Sequence, residues 1–370
     1  MKVLLLGATG VIGSRAAAEL ARSPQVGELV LTGRNESKLR RLAEGFDRRS
    51  NRLRTAVLDL THVRDSNPFQ GFDVVASCAG PSYRTEFAAG KAAVLAGTPY
   101  VSLCDEHLPY ERVRALTEDA AAKGCTIVAG CGLSPGLTNI LVARACDDLD
   151  EVEEIDIALA RSSAEPSGAA SALHFLYELS TDAPAISDFQ LDAERSGSAP
   201  KLVYFPEPVG WIETFRSGHP ETVTLAESHQ LRSMTFRIGL TEKAAMDAAR
   251  AFAATGLGRR DRYRRLFVDV SGPVRPLLQR IPPRGPTWTG ARVDVRGSKA
   301  GRSATVTLGI VDRLLNLAVL PLTHAALALG SGSVRKPGVH PPEEVFDHNM
   351  MLAELYERGL RVATLEAAGV

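Results

Sequence analysis

A glycine-rich turn is the part of this sequence best suited to bind a phosphorylated ligand. It directly follows the apolar run Lys2–Leu6 and has the spacing G-x-x-G-x-x-G. Between a strand and a helix, such glycines allow a tight turn and close approach of a pyrophosphate, and the helix N-terminus offers N–H groups to the phosphates. The sequence therefore predicts dinucleotide binding through Gly7, Thr9, Gly10, Val11, Ile12 and Gly13. The alternative is a structural turn in a domain that has lost its cofactor.

The residues at the end of the second predicted strand distinguish between the two nicotinamide dinucleotides. NAD sites carry Asp or Glu there, about 20 residues after the glycines, to bind the ribose hydroxyls. This sequence instead reads Thr32-Gly33-Arg34-Asn35. A guanidinium binds a 2′-phosphate through charge-assisted hydrogen bonds, whereas a carboxylate would repel it. The expected cofactor is therefore NADP(H), and Lys38 either adds a second cation or is an exposed helix lysine.

Further cofactor contacts are predicted at the ends of two other strands. Asp59, just past the third strand, is placed to approach the adenine or, alternatively, to cap the following turn. Ala79 and Gly80 end the fourth strand, where an open α/β sheet presents its crevice and the nicotinamide ribose is expected. Gly80 has no side chain and so allows close backbone approach.

Two residues are candidates for the catalytic chemistry itself. Hydride transfer needs mainly geometry and one polar group that moves the accompanying proton. Asp105, at the end of the fifth strand, could hold a substrate nitrogen or relay its proton, or it could cap a helix. Tyr83 could donate a hydrogen bond to ribose or substrate, or it could be an exposed loop tyrosine. The five cysteines have neither C-x-x-C nor zinc spacing, so no metal and no nucleophilic thiol is predicted.

The elements that position these residues alternate between apolar runs and helical stretches up to about Cys131. This alternation predicts an α/β fold, an N-terminal doubly wound parallel Rossmann sheet. After Leu149 the pattern predicts a second α+β domain containing a mixed sheet. The predicted strands are Lys2–Leu6, Glu28–Thr32, Leu53–Leu58, Asp73–Ser77, Tyr100–Leu103, Thr126–Ala129, Glu154–Ala160, Lys201–Phe205, Met234–Leu240, Leu266–Val270, Arg292–Arg296 and Ala304–Val311. The predicted late helices are Glu242–Thr255, capped by Thr241 and Gly256, and a final helix from Pro341-Pro342 to Gly359.

Composition narrows the classes of partner and compartment. The 43 basic and 43 acidic residues cancel, so no nucleic-acid or anionic-membrane partner is expected. The odd cysteine count suits a reducing compartment, and a cytoplasmic location is expected. The apolar stretch Leu314 to Gly330 is interrupted by Asn316, Pro321 and His324, which favours a core or subunit-interface helix over a membrane span.

Several segments resemble the saccharopine dehydrogenase-like superfamily over most of the chain. The segment Gly132 to Asn139 is similar to the G-x-x-P-G crossover of that family into its substrate domain, and Phe205 to Phe215 is similar to a segment of lysine and saccharopine dehydrogenases. Further similar segments are Thr235 to Gly239 and Gly338 to Glu343. Two segments depart from the amino-acid-specific members: Ser162 to Gly168 and the Pro/Arg-rich Arg275–Arg284.

The resemblance implies reversible hydride transfer at a carbon that bears nitrogen, between an imine and an amine or amino acid. Two alternatives stay open: an NADPH-dependent enoyl or carbonyl reductase, and a dinucleotide-binding regulatory protein without turnover. The substrate is a small molecule, and its candidate contacts are Arg237, Glu213 and His174. For Arg237 the alternative is a surface strand arginine, and for His174 it is a packed or capping histidine.

The resemblance also implies a domain order and a quaternary structure. Residues 1–135 are expected to form the NADP-binding domain and residues 136–335 a substrate and dimerisation domain. Residues 336–370 are expected to form a C-terminal helix that returns to the Rossmann domain. Pairing through the sheet of the substrate domain is common in the family, so a homodimer is expected.

Overall fold

The computed structural model describes residues 1–46, 52–65, 67–271 and 287–365, and the predicted departure at Arg275–Arg284 lies outside these residues. The strands are β1 Lys2–Leu6, β2 Glu28–Gly33, β3 Leu53–Val57, β4 Val74–Ser77, β5 Tyr100–Ser102, β6 Thr126–Val128, β7 Glu151–Arg161, β8 Asp182–Ser187, β9 Gln190–Arg195, β10 Lys201–Phe205, β11 Gly210–Arg216, β12 Ser233–Leu240, β13 Thr289–Lys299, β14 Arg302–Asp312, β15 Gly338–His340 and β16 Val362–Thr364. The helices are α1 Val11–Arg22, α2 Glu36–Glu44, α3 Ser82–Ala96, α4 His107–Arg114, α5 Thr117–Ala122, α6 Leu137–Cys146, α7 Ala169–Ser180, α8 Glu221–Ser228, α9 Lys243–Ala254, α10 Asp261–Ser271, α11 Leu314–Ser331 and α12 His348–Glu357.

The chain divides into two compact units, and each is made of two chain segments. The first unit contains Met1–Leu137 and Leu317–Glu354, and the second contains Thr138–Asn316 and Leu355–Val370. The predicted ranges 136–335 and 336–370 differ from this division. Most of α11 belongs to the first unit, where a Cβ on Gly330 would lie 2.8 Å from Val74 Cγ1. Strand β16 belongs to the second unit because it pairs with β14.

The first unit is built on a seven-stranded parallel sheet. Its order is β3-β2-β1-β4-β5-β6-β15, which contains the 3-2-1-4-5-6 arrangement of a doubly wound fold. Residues Val3 to Leu6 of β1 are at most 2% exposed, as expected for a central strand covered on both faces. The predicted Rossmann architecture is therefore confirmed, and the carboxyl ends of β1, β2, β4 and β5 lie along one edge of the sheet.

The last strand of this sheet comes from the far end of the chain. Gly338 and Val339 pair in parallel with Thr126 and Ile127, and Lys336 N donates to Thr126 Oγ1 at 3.0 Å. The predicted continuous helix from Pro341 to Gly359 is wrong. Pro342–Glu344 is a separate 3-10 turn, and α12 begins only at His348. The reason is that the Asp347 side chain accepts from the Met350 amide at 2.8 Å and so acts as the N-cap.

The second unit contains a nine-stranded mixed sheet, as the α+β prediction requires. The main path runs β10-β11-β12-β7-β13-β14-β16, and the β8–β9 hairpin joins it at β12. β7 pairs in parallel with β12 and in antiparallel register with β13. The β13–β14 hairpin turns through Ala300 and Gly301, whose φ values of 51° and 71° suit a two-residue hairpin turn.

One predicted strand and one predicted cap of the second unit are wrong. Leu266–Val270 lies in helix α10, where Asp261 pairs with Arg265 one turn later at 2.8 Å. Phe267 stacks against Phe252 with ring centroids 4.5 Å apart, so the apolar residues pack at helical rather than alternating spacing. Helix α9 begins at Lys243 after Glu242, and Thr241 does not cap it.

Helix α11 is 18 residues long and apolar enough to cross a membrane by length and composition alone. Inside the structure, 61% of it is buried. Cys131 Sγ lies 3.7 Å from the Pro321 carbonyl, and His324 Nδ1 lies 2.7 Å from Glu354 Oε2. These are the contacts of a helix packed within a protein core, one of the two interpretations that the sequence left open.

Candidate functional site

The glycine turn after β1 leaves no room for side chains at two of its positions. Gly7 has a φ of +70°, and a Cβ there would lie 2.8 Å from the backbone of Ala79 and from the Cys78 carbonyl. A Cβ on Gly13 would lie 2.2 Å from the Gly7 carbonyl oxygen. The turn is therefore pressed against the carboxyl end of β4 and against its own helix. Glycine is required at both positions.

The start of helix α1 presents backbone amides outside the helical ladder. Gly10 is the N-cap and brings no capping side chain, and the first helical bond runs from Ser14 N to Gly10 O at 2.9 Å. The amides of Val11, Ile12 and Gly13 come before that bond, so they have no place in the ladder of the helix. Together with the positive end of the helix dipole, these amides fit a pyrophosphate.

Thr9 connects this turn to the end of β2. The Ala8 amide donates to the Thr32 carbonyl at 2.9 Å, and a Cβ on Gly33 would lie only 3.0 Å from Thr9 Oγ1. The absence of a side chain at Gly33 thus lets Thr9 lie across the strand end. Arg34 is the next residue and its side chain is exposed, which places a guanidinium at the edge of the sheet that carries the glycine turn.

The charge of Arg34 affects the pKa of Asp59. The hydroxyl and amide of Thr61 donate to Asp59 Oδ1 at 2.7 and 3.0 Å, and these bonds hold the pKa of Asp59 below its usual value. His62 and Arg34 lower that pKa further. Asp59 therefore caps the turn after β3, as one of the two sequence interpretations expects, and its contact with adenine stays a prediction. Asn35 is the N-cap of α2, and its side chain accepts from the Lys38 amide at 2.9 Å.

The carboxyl ends of β4 and β5 bring the two catalytic candidates together. Ser82 Oγ donates to Asp105 Oδ1 at 3.3 Å, and the backbone amide of Tyr83 donates to Glu106 Oε2 at 2.5 Å. Both Tyr83 and Asp105 are half-buried. Gly7 packs on Ala79, which lies four residues before Tyr83. One edge of the sheet therefore carries the glycine turn, Ala79–Gly80, Tyr83 and Asp105.

Two buried carboxylates at this edge were not predicted from sequence. Glu106 is fully buried and caps the start of α3 through the Tyr83 amide. Glu86, one turn further along α3, accepts from Ser102 Oγ at 2.6 Å and from Tyr100 OH at 3.1 Å. Burial raises the pKa of Glu86 to about 7, and Asp105 and Glu106 add repulsion. A glutamate inside an apolar helical stretch was the available signal for Glu86.

The thiols near the strand ends are in surroundings that suppress reactivity. All five cysteines are free. Burial raises the pKa of Cys78 to about 12 and the pKa of Cys104 well above its usual value. A thiol is nucleophilic only as the thiolate, so these two side chains are poor nucleophiles.

Arg237 and Glu213, the predicted substrate contacts on strands of the second unit, have different surroundings. Arg237 is 8% exposed on β12, and its guanidinium donates to the Ala199 carbonyl at 2.5 Å. Burial lowers its pKa, and the charge of Arg216 lowers it further. Glu213 is exposed on β11 and pairs with Lys243 at 2.9 Å. Their contacts with substrate stay predictions.

His174 lies on α7 in a buried cluster of ionisable side chains. Its Nε2 is 3.1 Å from Glu178 Oε2, and His219 Nε2 is 3.0 Å from Glu178 Oε1. His219 Nδ1 is 2.5 Å from Glu221 Oε2. The sequence interpretation of a packed histidine agrees with this burial. Glu178 lies one turn further along the same helix, but His219 and Glu221 come from the start of α8 and could not be predicted from the sequence.

Known proteins match this chain both in sequence and in fold. Residues 3–128 match the family described as saccharopine dehydrogenase NADP binding domain. Apo histidine-tagged saccharopine dehydrogenase (L-Glu forming) from Saccharomyces cerevisiae has the same fold at 15% identity, with a TM-score of 0.67 over 99% of this chain and 100% of that one. An amine dehydrogenase from Mycobacterium smegmatis aligns at 11% identity and a TM-score of 0.52, over 94% of this chain and 96% of that one.

The residues of the first unit fit the dinucleotide that this family binds. The glycine turn has no space for side chains where phosphates must approach, and the amides of α1 are outside its ladder. Arg34 stands where a 2′-phosphate requires a cation. Residues 3–128 of this chain therefore match the saccharopine dehydrogenase NADP binding domain, and the residues of the glycine turn together with Arg34 fit NADP(H) as the cofactor.

Proposed function

We propose that this protein is an NADP(H)-dependent oxidoreductase that transfers hydride between nicotinamide and an imine or amine of an amino-acid-like substrate. The observation that carries the proposal is the NADP-binding domain at residues 3–128, with its glycine turn and with Arg34 after β2. Further support comes from the sequence resemblance of the crossover and of residues 205–215 to saccharopine and lysine dehydrogenases.

Residues of the first unit would contact different parts of the cofactor. The amides of Val11, Ile12 and Gly13 would hold the pyrophosphate, and Arg34 would bind the 2′-phosphate. Ala79 and Gly80 would bring backbone close to the nicotinamide ribose. When bound, NADP(H) supplies the hydride donor or acceptor.

Asp105 is the proposed proton-handling group. It lies at the carboxyl end of β5, is half-buried, and receives a hydrogen bond from Ser82 that fixes one carboxylate oxygen. Asp105 would hold a protonated substrate nitrogen or relay its proton. Glu106 positions this segment through the Tyr83 amide, and Tyr83 itself would donate its hydroxyl to ribose or substrate.

A deuteride-transfer experiment tests the reaction class. The purified protein is incubated with NADPH deuterated at C4 and a panel of imines, enones and aldehydes, and mass spectrometry locates the transferred deuterium. We expect label on carbon bonded to nitrogen. Label on the β-carbon of an enone, or on a carbonyl carbon, would make the protein an enoyl or carbonyl reductase. Tight NADPH binding without transfer to any member would contradict turnover.

A pair of variants tests the role of Asp105 within that reaction. Asp105→Asn keeps the shape of the side chain and its bond from Ser82 but removes the charge. General acid–base groups contribute about 10²–10⁴-fold, so kcat should fall by that order while the Kd for NADPH changes little. Asp119→Asn on the exposed face of α5 is the matched control and should behave as wild type. Unchanged kcat in Asp105→Asn would remove Asp105 from the mechanism.

We also propose a cytoplasmic homodimer. The five free thiols suit a reducing compartment. For the dimer, support comes from the family resemblance and from two large apolar side chains on the β10–β11 hairpin, Leu202 and Trp211, each 60% exposed. Light scattering on the purified protein should give twice the chain mass, and a monomeric mass at micromolar concentration would contradict the dimer.

A further inference from the structure

Four ionisable side chains are buried together in the second unit. His174 and Glu178 lie one turn apart on α7, His219 precedes α8, and Glu221 begins it. Their side chains are 7%, 1%, 2% and 0% exposed, in that order. Charged groups at this depth are costly unless their charges are balanced, so the composition of the cluster calls for an explanation.

Two carboxylates and two imidazoles face one another in this cluster. Glu178 contacts both His174 and His219, and Glu221 contacts the other side of the His219 ring. A divalent cation held between Glu178 and the two imidazoles would offset the buried carboxylate charge.

The atoms that face one another have the spacing of a metal coordination sphere. One ring nitrogen each of His174 and His219 and one oxygen of Glu178 all lie within 4.8 Å of one another. The two imidazole-to-carboxylate distances are 3.1 and 3.0 Å. In a tetrahedral zinc site with bonds of about 2.0–2.1 Å, neighbouring ligand atoms are about 3.3 Å apart. Small rotations of the side chains are therefore enough to admit an ion.

The surroundings of His219 also match those of a metal ligand. Its Nδ1 faces Glu221 Oε2 at 2.5 Å, and Thr138 Oγ1 donates to the other Glu221 oxygen at 2.8 Å. Histidine ligands generally donate their second N–H to a carboxylate, which fixes the tautomer and the ring orientation. Phe236 stacks on the His219 ring at 4.1 Å with an interplanar angle of 14°, which restrains it further.

We propose that His174, Glu178 and His219 form a binding site for one divalent transition-metal ion, with Zn²⁺ as the first candidate. Two imidazoles and one carboxylate suit Zn²⁺ and Fe²⁺, whereas Mg²⁺ and Ca²⁺ prefer oxygen ligands alone. His174, Glu178, His219 and Glu221 all belong to the second unit. The bound ion stabilises the fold of that unit, since binding free energy adds to folding free energy.

Metal binding by the full-length protein is the direct test. The protein is freed of metal with a chelator, dialysed against Zn²⁺, Fe²⁺, Co²⁺ or Mg²⁺ separately, and analysed by elemental mass spectrometry. We expect one equivalent of Zn²⁺ per chain, a raised Tm, and visible d–d bands of tetrahedral intensity with Co²⁺. A cooperatively folding protein that binds none of the transition metals would overturn the site.

Variants identify which residues hold the ion. His174→Gln and Glu178→Gln each remove one proposed ligand and should abolish stoichiometric Zn²⁺ binding. Glu221→Gln removes only the partner of a ligand and should weaken binding about 10–100-fold. His324→Gln is the matched control. His324 also pairs with a glutamate, Glu354, but neither residue belongs to a group of three possible metal ligands in the described part of the chain.

A folding check separates the loss of metal binding from the loss of folding in each variant. Each variant is first checked for a cooperative thermal transition, and only folded variants are scored. Stoichiometric Zn²⁺ in both folded His174→Gln and folded Glu178→Gln would overturn the assignment, as would its loss in His324→Gln. If neither ligand variant folds, the Co²⁺ spectrum of the wild-type protein is the deciding measurement. The absorption spectrum of Co²⁺ bound by imidazole and carboxylate differs from that of the hydrated ion.

Discussion

The backbone amide of Tyr83 lies 2.5 Å from Oε2 of Glu106, and this bond joins the start of α3 to the segment that follows β5. The side chain of Ser82 makes a parallel contact with Asp105. The carboxyl ends of two strands are thereby fixed relative to each other at the edge of the sheet where the nicotinamide ring is expected. The Glu106 side chain is fully buried, so replacing it tests the contact.

Replacing Glu106 should loosen this edge of the sheet. Glu106→Ala leaves the Tyr83 amide without its acceptor, and loss of a buried partner costs about 1–3 kcal/mol. We expect the free energy of unfolding in urea to fall by that amount. The exposed Glu118→Ala on α5 should stay within about 0.5 kcal/mol of wild type. Equal stability of the two variants would mean that the bond contributes nothing.

Arg34 should determine the choice of dinucleotide. Arg34→Asp removes a charge-assisted contact of about 1.5–3 kcal/mol, so the Kd for NADPH should rise at least 10-fold while NADH binding is spared. Isothermal titration with both dinucleotides measures the change. Arg40→Asp, an equal charge change on the exposed side of α2, is the control. Equal losses for NADPH and NADH would refute the role of Arg34.

The glycines of the turn should differ in their tolerance of alanine. A Cβ at residue 13 would lie 2.2 Å from the Gly7 carbonyl, whereas one at residue 10 would lie 3.3 Å from it. Gly13→Ala should therefore displace the turn, cost about 1–3 kcal/mol of stability and weaken NADPH binding. Gly10→Ala should cost less in both measurements. The reverse order would contradict the described geometry.

Glu86 should make stability depend on pH. Its pKa of about 7 exceeds the value of about 4.3 in an unfolded chain, so the folded protein holds the extra proton between these values. Stability should therefore fall as pH rises from about 4.3 to above 7, by a total on the order of 3 kcal/mol. Glu86→Gln mimics the protonated carboxyl, and its urea midpoint should lose this dependence. If the stability of Glu86→Gln depended on pH as strongly as that of the wild type, another group would be responsible for the dependence.

The sequence predicted the first unit well because its signals are local. The apolar run before Gly7 and the alternation that follows belong to neighbouring residues, and strands such as Lys2–Leu6 have the predicted bounds. Short apolar runs without clear period were harder to interpret. Leu266–Val270 contains β-branched and aromatic residues that favour a strand, but Phe267 packs on Phe252 and the segment is helical.

The chemistry of the second unit could not be read in this way. Glu178 meets His219 across 41 positions of sequence, and no spacing rule connects a helix residue to a loop residue so far away. The same holds for Glu106, whose function as a cap depends on a helix that begins 24 residues earlier. Such contacts are set by the packing of whole elements.

Strand β15 has a consequence for how this protein is made. Because it supplies the outer strand of the first sheet from residues 338–340, the amino-terminal half leaves the ribosome with the N–H and C=O groups along one side of β6 still open. That side stays unpaired until more than 200 further residues have been synthesised, since Lys336 bonds to Thr126 across 210 positions. A nascent chain halted before β15 would expose β6 as an unpaired edge strand that could pair with other chains. A holdase chaperone bound there would have to dissociate before β15 could pair with β6.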